Sequence, residues 1–137
     1  MKITSVILIA FFFTVSACTK QGNHEHATEE GPNQELYDEV MAVHDEVMPK
    51  MTDLYKAKTA LSTQLEMPGL TDDEREGIRQ KIIRIDSASE GMMVWMRQFD
   101  PPADSVGADA GRAYLEDQLV KVKKVREDIL ETLEANP

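Results

Sequence analysis

From residue 36 onward, apolar side chains recur at steps of three and four. Leu36, Val40, Val43, Val47, Met51, Leu54, Leu61 and Leu65 trace one helical stripe. Tyr37, Met41, His44, Met48, Met51 and Tyr55 trace a second stripe beside it, so the face is wide enough to meet two neighbours. Asn33 is placed to be the N-cap, and Pro68-Gly69 to stop the helix. Pro49 falls inside the pattern. It lacks an amide hydrogen and crowds the carbonyl of Asp45, which predicts a kink or short break near Met48.

A second helix opens at Thr71-Asp72-Asp73-Glu74, a capping box with acidic residues in the first turn. Its stripe runs through Ile78, Ile82, Ile85, Ala88, Met92, Trp95 and Phe99, and Asp100-Pro101-Pro102 ends it. Residues 103–110 are small and polar and read as a loop. A third helix carries Tyr114, Leu115, Leu119, Val122, Val125, Ile129 and Leu133. No stretch alternates with the two-residue period of a strand, and no long period repeats. The expected fold is therefore all-α: an elongated antiparallel three-helix bundle over residues 33–137, with helices about 40–50 Å long.

The first seventeen residues follow another logic. Lys2 is followed by a short apolar core containing Phe11, Phe12 and Phe13, and then by Val15-Ser16-Ala17-Cys18. A charged start, an apolar core too short to span a bilayer comfortably and small residues at the cut make a secretory signal peptide over residues 1–17. Val-Ser-Ala-Cys resembles the lipobox of bacterial lipoproteins. That resemblance implies a diacylglycerol on the Cys18 thiol, cleavage before Cys18 and acylation of the new amine. Several acyl chains suit stable membrane anchoring, since one chain holds a protein only marginally. The expected location is the cell envelope, with the domain in the periplasm or at the surface. Thr19, which is not aspartate, favours the outer membrane under enterobacterial sorting logic. Residues 18–32 then comprise the lipidated cysteine and a polar, flexible tether that includes His24 and His26.

Cys18 is the only cysteine, which leaves no thiol for a disulfide, a zinc cage or a nucleophile in the folded part. Loss of Lys2 with the signal makes the mature chain one unit more negative than the −10 of the full sequence. Nucleic-acid binding needs a basic face and is excluded. Lys121, Lys123, Lys124 and Arg126 form a local basic cluster, but Asp117–Lys121, Lys123–Glu127 and Lys124–Asp128 are spaced as ordinary pairs on a solvated helix face.

The densest chemistry lies in "MAVHDEVMPKM", residues 41–51. A hairpin with its tip at residues 68–71 sets His44 level with Trp95, Met48 near Gly91 and Met92, and Met41 near Gln98, one turn beyond Met96. Met41, His44, Met48, Met92 and Met96 thus become candidate ligands for soft Cu(I), with Trp95 as a wall. The stronger reading of the same stripe is core, because Met fills irregular gaps and Trp is a large core residue, and tight Cu(I) binding is not the expectation. His44 would then be a partly buried residue bonded to an acid, although Asp45 and Glu46 are not well placed on its face.

A bundle histidine or methionine suits haem as well, but no Cys-x-x-Cys-His occurs and no cofactor is expected. There is no phosphate loop, no His-Glu-x-x-His and no Ser elbow, and the expectation is a protein that is not an enzyme. It would hold a protein partner or a second copy through its helix faces. "EVMAVHDEVMPKM", "MMVWMRQFDPP" and "AYLEDQLVKVKKVREDI" resemble segments of small uncharacterised helical lipoproteins of the Bacteroidota, some labelled "viral A-type inclusion protein". The resemblance spans roughly residues 34–133. It implies envelope location and helical fold, and it brings no activity and no catalytic residue.

Replacement of the sole thiol, Cys18→Ser, should move the chain from the membrane to the soluble envelope fraction. Equal membrane retention of the variant on fractionation would refute the anchor.

Overall fold

A computed structural model describes residues 31–136. The expected signal peptide, Cys18, His24, His26 and most of the expected tether lie outside the described residues. Four α-helices follow in order: α1 (Gln34–Val47), α2 (Lys50–Leu65), α3 (Asp72–Gln98) and α4 (Ala108–Glu134). α1 and α2 together form the first rod, so three rods pack against one another, with no strand among the described residues. The all-α three-helix bundle is as the hydrophobic pattern predicts.

The break in the first rod lies at Pro49. Met48 and Pro49 keep helical dihedrals. However, the Met51 amide donates to Met48 O and the Thr52 amide to Pro49 O, both at 3.2 Å, so the turn after the proline is wound one residue tighter than an α-helix. The consequence is a change of neighbour. α1 lies closely along α4, and α2 lies closely along α3. The Cα atoms of α1 and α3 stay more than 8 Å apart.

Ion pairs follow the same division. Glu39 and Glu46 on α1 meet Lys123 and Arg126 on α4, at 2.9 and 3.3 Å. Lys58 on α2 meets Asp86 on α3 at 2.6 Å. Lys123 therefore does not pair with Glu127 as its spacing suggested; the parallel neighbour α1 offers Glu39 instead. Lys121–Asp117 and Lys124–Asp128 form as spaced.

The core is a single line of buried side chains: Val40, Val43, Val47 and Leu54 from the first rod, Ile85, Ala88, Met92 and Trp95 from α3, and Leu115, Val122 and Ile129 from α4. All belong to the predicted stripes. Tyr55 does not follow its stripe: it is 71% exposed, because α2 turns its face towards α3 after the proline. Gln118 and Thr132 are buried on α4, where Thr132 satisfies its hydroxyl by donating to Asp128 O at 2.6 Å.

Helix ends differ in part from the expected ones. Asn33 occupies the N-cap position without capping; its Nδ2 donates across to Ala108 O at 2.9 Å, tying the start of α1 to the start of α4. α2 ends at Leu65, before Pro68, and the Arg75 guanidinium from α3 donates to Leu65 O and Met67 O. α4 begins at Ala108, so the expected loop gives up its last three residues. Gly107 precedes it at φ +92°, a left-handed conformation that favours glycine.

The Thr71–Glu74 capping box forms in full. The hydrogen bonds from Thr71, the backbone one first, hold the Glu74 carboxyl below its ordinary pKa. A depressed folded-state pKa contributes stability above the unfolded value, and that stability is lost as pH falls through the folded value. Glu74→Gln keeps a neutral acceptor but loses the charge. The variant should therefore melt below the wild type near neutral pH, and the gap should close in acid. A gap independent of pH in thermal melts would contradict this.

Candidate functional site

The break in the first rod shapes the site. With α1 drawn to α4, the wider space between α1 and α3 must be filled by long or flat side chains. Phe99 is the hub. Its ring stacks on Trp95 at 4.8 Å between centroids, and on Tyr37 and Tyr114 at 6.2 and 6.3 Å. Such offset ring pairs add about 0.5–1.5 kcal/mol each beyond area burial. The Tyr114 hydroxyl accepts from the Asp100 amide at 2.7 Å, so the cluster also fixes the exit of the chain from α3.

His44 extends this row. Its ring lies 5.8 Å from that of Trp95, tilted by 34°, so the two side chains are level as the hairpin register predicts. Nε2 sits 3.4 Å from Met96 Sδ. Nδ1 lies 2.8 Å from Asp45 Oδ1, which corrects the expectation that Asp45 is badly placed: an adjacent carboxylate reaches the ring from the solvent edge. A carboxylate and a thioether both only accept, so a neutral ring can donate to one of them at a time, Nδ1–H to Asp45 or Nε2–H to Met96 Sδ. The His44 side chain is 17% exposed, inside the protein yet reachable from water.

Of the five candidate ligands, His44 and Met96 are brought into direct contact. Met92 is completely buried one turn before Met96, and Met48, half-buried, packs against the same core one turn after His44. Met41 is half-buried and is not among the side chains packed on that core. Among the described residues, no three His, Cys, Asp or Glu side chains converge as a metal-binding group. The donors in contact here are an imidazole and a thioether.

Trp95 has a second aspect. Its indole N–H is buried without an acceptor, a donor left unpaired at a typical cost of about 1–3 kcal/mol. Trp95 also lines an open groove between α3 and α4, with Gly91, Val94, Val120 and Val125 as its apolar surface and Lys121 and Lys124 at its edge. Val120 is 69% exposed there. The Asp128 carboxylate, 2.7 Å away, holds the Lys124 ammonium above its ordinary pKa.

Compared with known proteins, the chain matches no family model, no curated protein and no solved structure. Geometry and sequence pattern alone therefore guide the functional reading. Sequence reasoning found the level of His44 and Trp95. It missed Asp45 as the partner of Nδ1 and Phe99 as the hub, since neither the rotamer of a surface acid nor the gap between α1 and α3 is written in helical spacing.

The central role of Trp95 sets an expectation for stability. Trp95→Ala should cost about 3–5 kcal/mol, whereas His44→Ala, at the rim, should cost far less. Denaturant melts of the two variants check this ranking, and equal losses would contradict it.

Proposed function

We propose that this chain is a lipid-anchored, non-enzymatic binding module of the bacterial cell envelope, held by Cys18 and engaging another protein through its exposed helical faces. The anchor rests on Val15-Ser16-Ala17-Cys18 behind a short apolar core. In addition, no helix among the described residues is long and apolar enough to cross a membrane. The observation that carries the binding role is the α3–α4 groove. Val94, Trp95, Val120 and Val125 line it in an otherwise acidic, charged surface, and neither α1 nor α2 contributes to its lining.

Exposed apolar strips edged by charge are the usual form of a helix-recognition surface. The lysines at the edge favour a partner with acidic side chains beside its apolar ones. The same features fit a domain in the periplasm or at the surface of the outer membrane, tethered by the polar segment 19–32.

Site-specific photocrosslinking in intact envelopes tests the role. A crosslinker placed at Val120 should give one discrete adduct that a crosslinker at Tyr55, equally exposed but on α2, does not give. An adduct of twice the chain mass would identify a second copy as the partner. Identical patterns from both positions, or no adduct from either, would count against the groove as the binding face.

A further inference from the structure

We infer that His44 and Met96, with the Met48–Met92 pair one turn further along the two helices, form a binding site for a soft monovalent cation of the Cu(I) class, walled by Trp95. The inference goes beyond the binding-module reading, since it concerns the space between α1 and α3 and not the α3–α4 groove. Three observations carry it. First, His44 Nε2 and Met96 Sδ face each other at 3.4 Å, and in the tautomer that donates Nδ1–H to Asp45 both atoms have a lone pair free for one ion. An ion held at typical metal–nitrogen and metal–sulfur lengths, about 2.0 and 2.3 Å, has such donors about 3.5 Å apart when they subtend a tetrahedral angle. A bent pair leaves room for further donors.

Second, Met48 and Met92, each one turn from His44 and Met96 along its own helix, both belong to the same core, so two more thioethers lie on the two helices that carry the pair. Thioether and imidazole together select soft monovalent metal over hard or borderline ions. Third, Asp45 is bonded to the ring nitrogen that faces away from Met96. A carboxylate on the outer nitrogen of a ligating histidine fixes its tautomer and raises its basicity. The Trp95 ring beside His44 offers a π face to a desolvated cation. The ion enters as Cu(I) and stays Cu(I), so no redox step is involved.

The test uses the full chain carrying Cys18→Ser, which removes both the anchor and the only competing thiol. Cu(I) is titrated anaerobically against a competing chelator, with Trp95 fluorescence, the only tryptophan signal, as the second readout. The expected result is one ion per chain, bound tighter than about 1 μM, with quenching of Trp95 and no comparable uptake of Zn(II). His44→Ala combined with Met96→Leu, the latter a volume-conserving change, should abolish binding while circular dichroism stays helical.

Asp45→Asn, at an exposed position, should weaken Cu(I) about tenfold or more while leaving the melting temperature of the metal-free chain unchanged. Replacing His24 and His26 should leave the affinity as it was. Absence of Cu(I) binding, binding that survives the double variant, or binding that disappears with the tether histidines would overturn the site. The fractionation and crosslinking results do not depend on any of these, so the anchored-module reading and the metal site can fail separately.

Discussion

Pro49 has no amide hydrogen, and much of the molecule follows from that. The carbonyl of Asp45 loses its helical donor, the next turn tightens to three-residue hydrogen bonds, and one amphipathic rod becomes two segments with different neighbours. α1 is drawn onto α4 through Val40, Val43 and Val47, short branched side chains that allow a close approach. α2 instead lies on α3. The price of drawing α1 to α4 is a wide gap on its α3 side. Large flat rings and long thioethers fill that gap: Tyr37, His44, Trp95, Phe99 and Met96. The chemistry of the molecule thus sits between two helices, α1 and α3, whose Cα atoms stay more than 8 Å apart.

The division of labour between packing and charge is clear from magnitudes. Exposed ion pairs contribute about 0–1 kcal/mol each. Those joining Glu39 to Lys123, Glu46 to Arg126 and Lys58 to Asp86 cannot hold the rods together, but they agree on which rod faces which. Cohesion comes from the line of completely buried side chains, Val40, Val47, Leu54, Ile85, Met92, Val122 and Ile129, any of which is worth about 1.5–3 kcal/mol when withdrawn from water. A core this thin, spread along three long helices, leaves apolar side chains near the surface on every seam. At the α3–α4 groove, Lys121 and Lys124 edge an apolar lining that includes the exposed Val120.

Trp95 belongs to two settings at once. One side of the residue meets His44 and Phe99 in the space between α1 and α3, and the residue also lines the groove between α3 and α4. Its buried N–H has no acceptor, so it is held by shape and ring stacking rather than by a hydrogen bond. A ligand at His44 and a partner in the groove would both press on this side chain. The net negative charge of the chain suits attraction of cations, and the acyl chains proposed on Cys18 would supply membrane attachment.

The sequence by itself determined the helical class, the three rods, nearly every core position, the break at Met48–Pro49, the capping box at Thr71 and the level at which His44 meets Trp95. All of these are set by spacing along one chain or by the local chemistry of proline and caps. Only the tertiary structure decided which face of the broken rod turns to which neighbour. That choice exposes Tyr55, sends Lys123 to Glu39 rather than Glu127, and gives Asn33 to Ala108 rather than to its own helix. It also decided that Asp45 reaches His44 and that Met96, rather than Met41, touches it. The reason is physical. Helical periodicity fixes the angle at which a side chain leaves its own axis, whereas the distance between axes depends on the side chains of all three rods together.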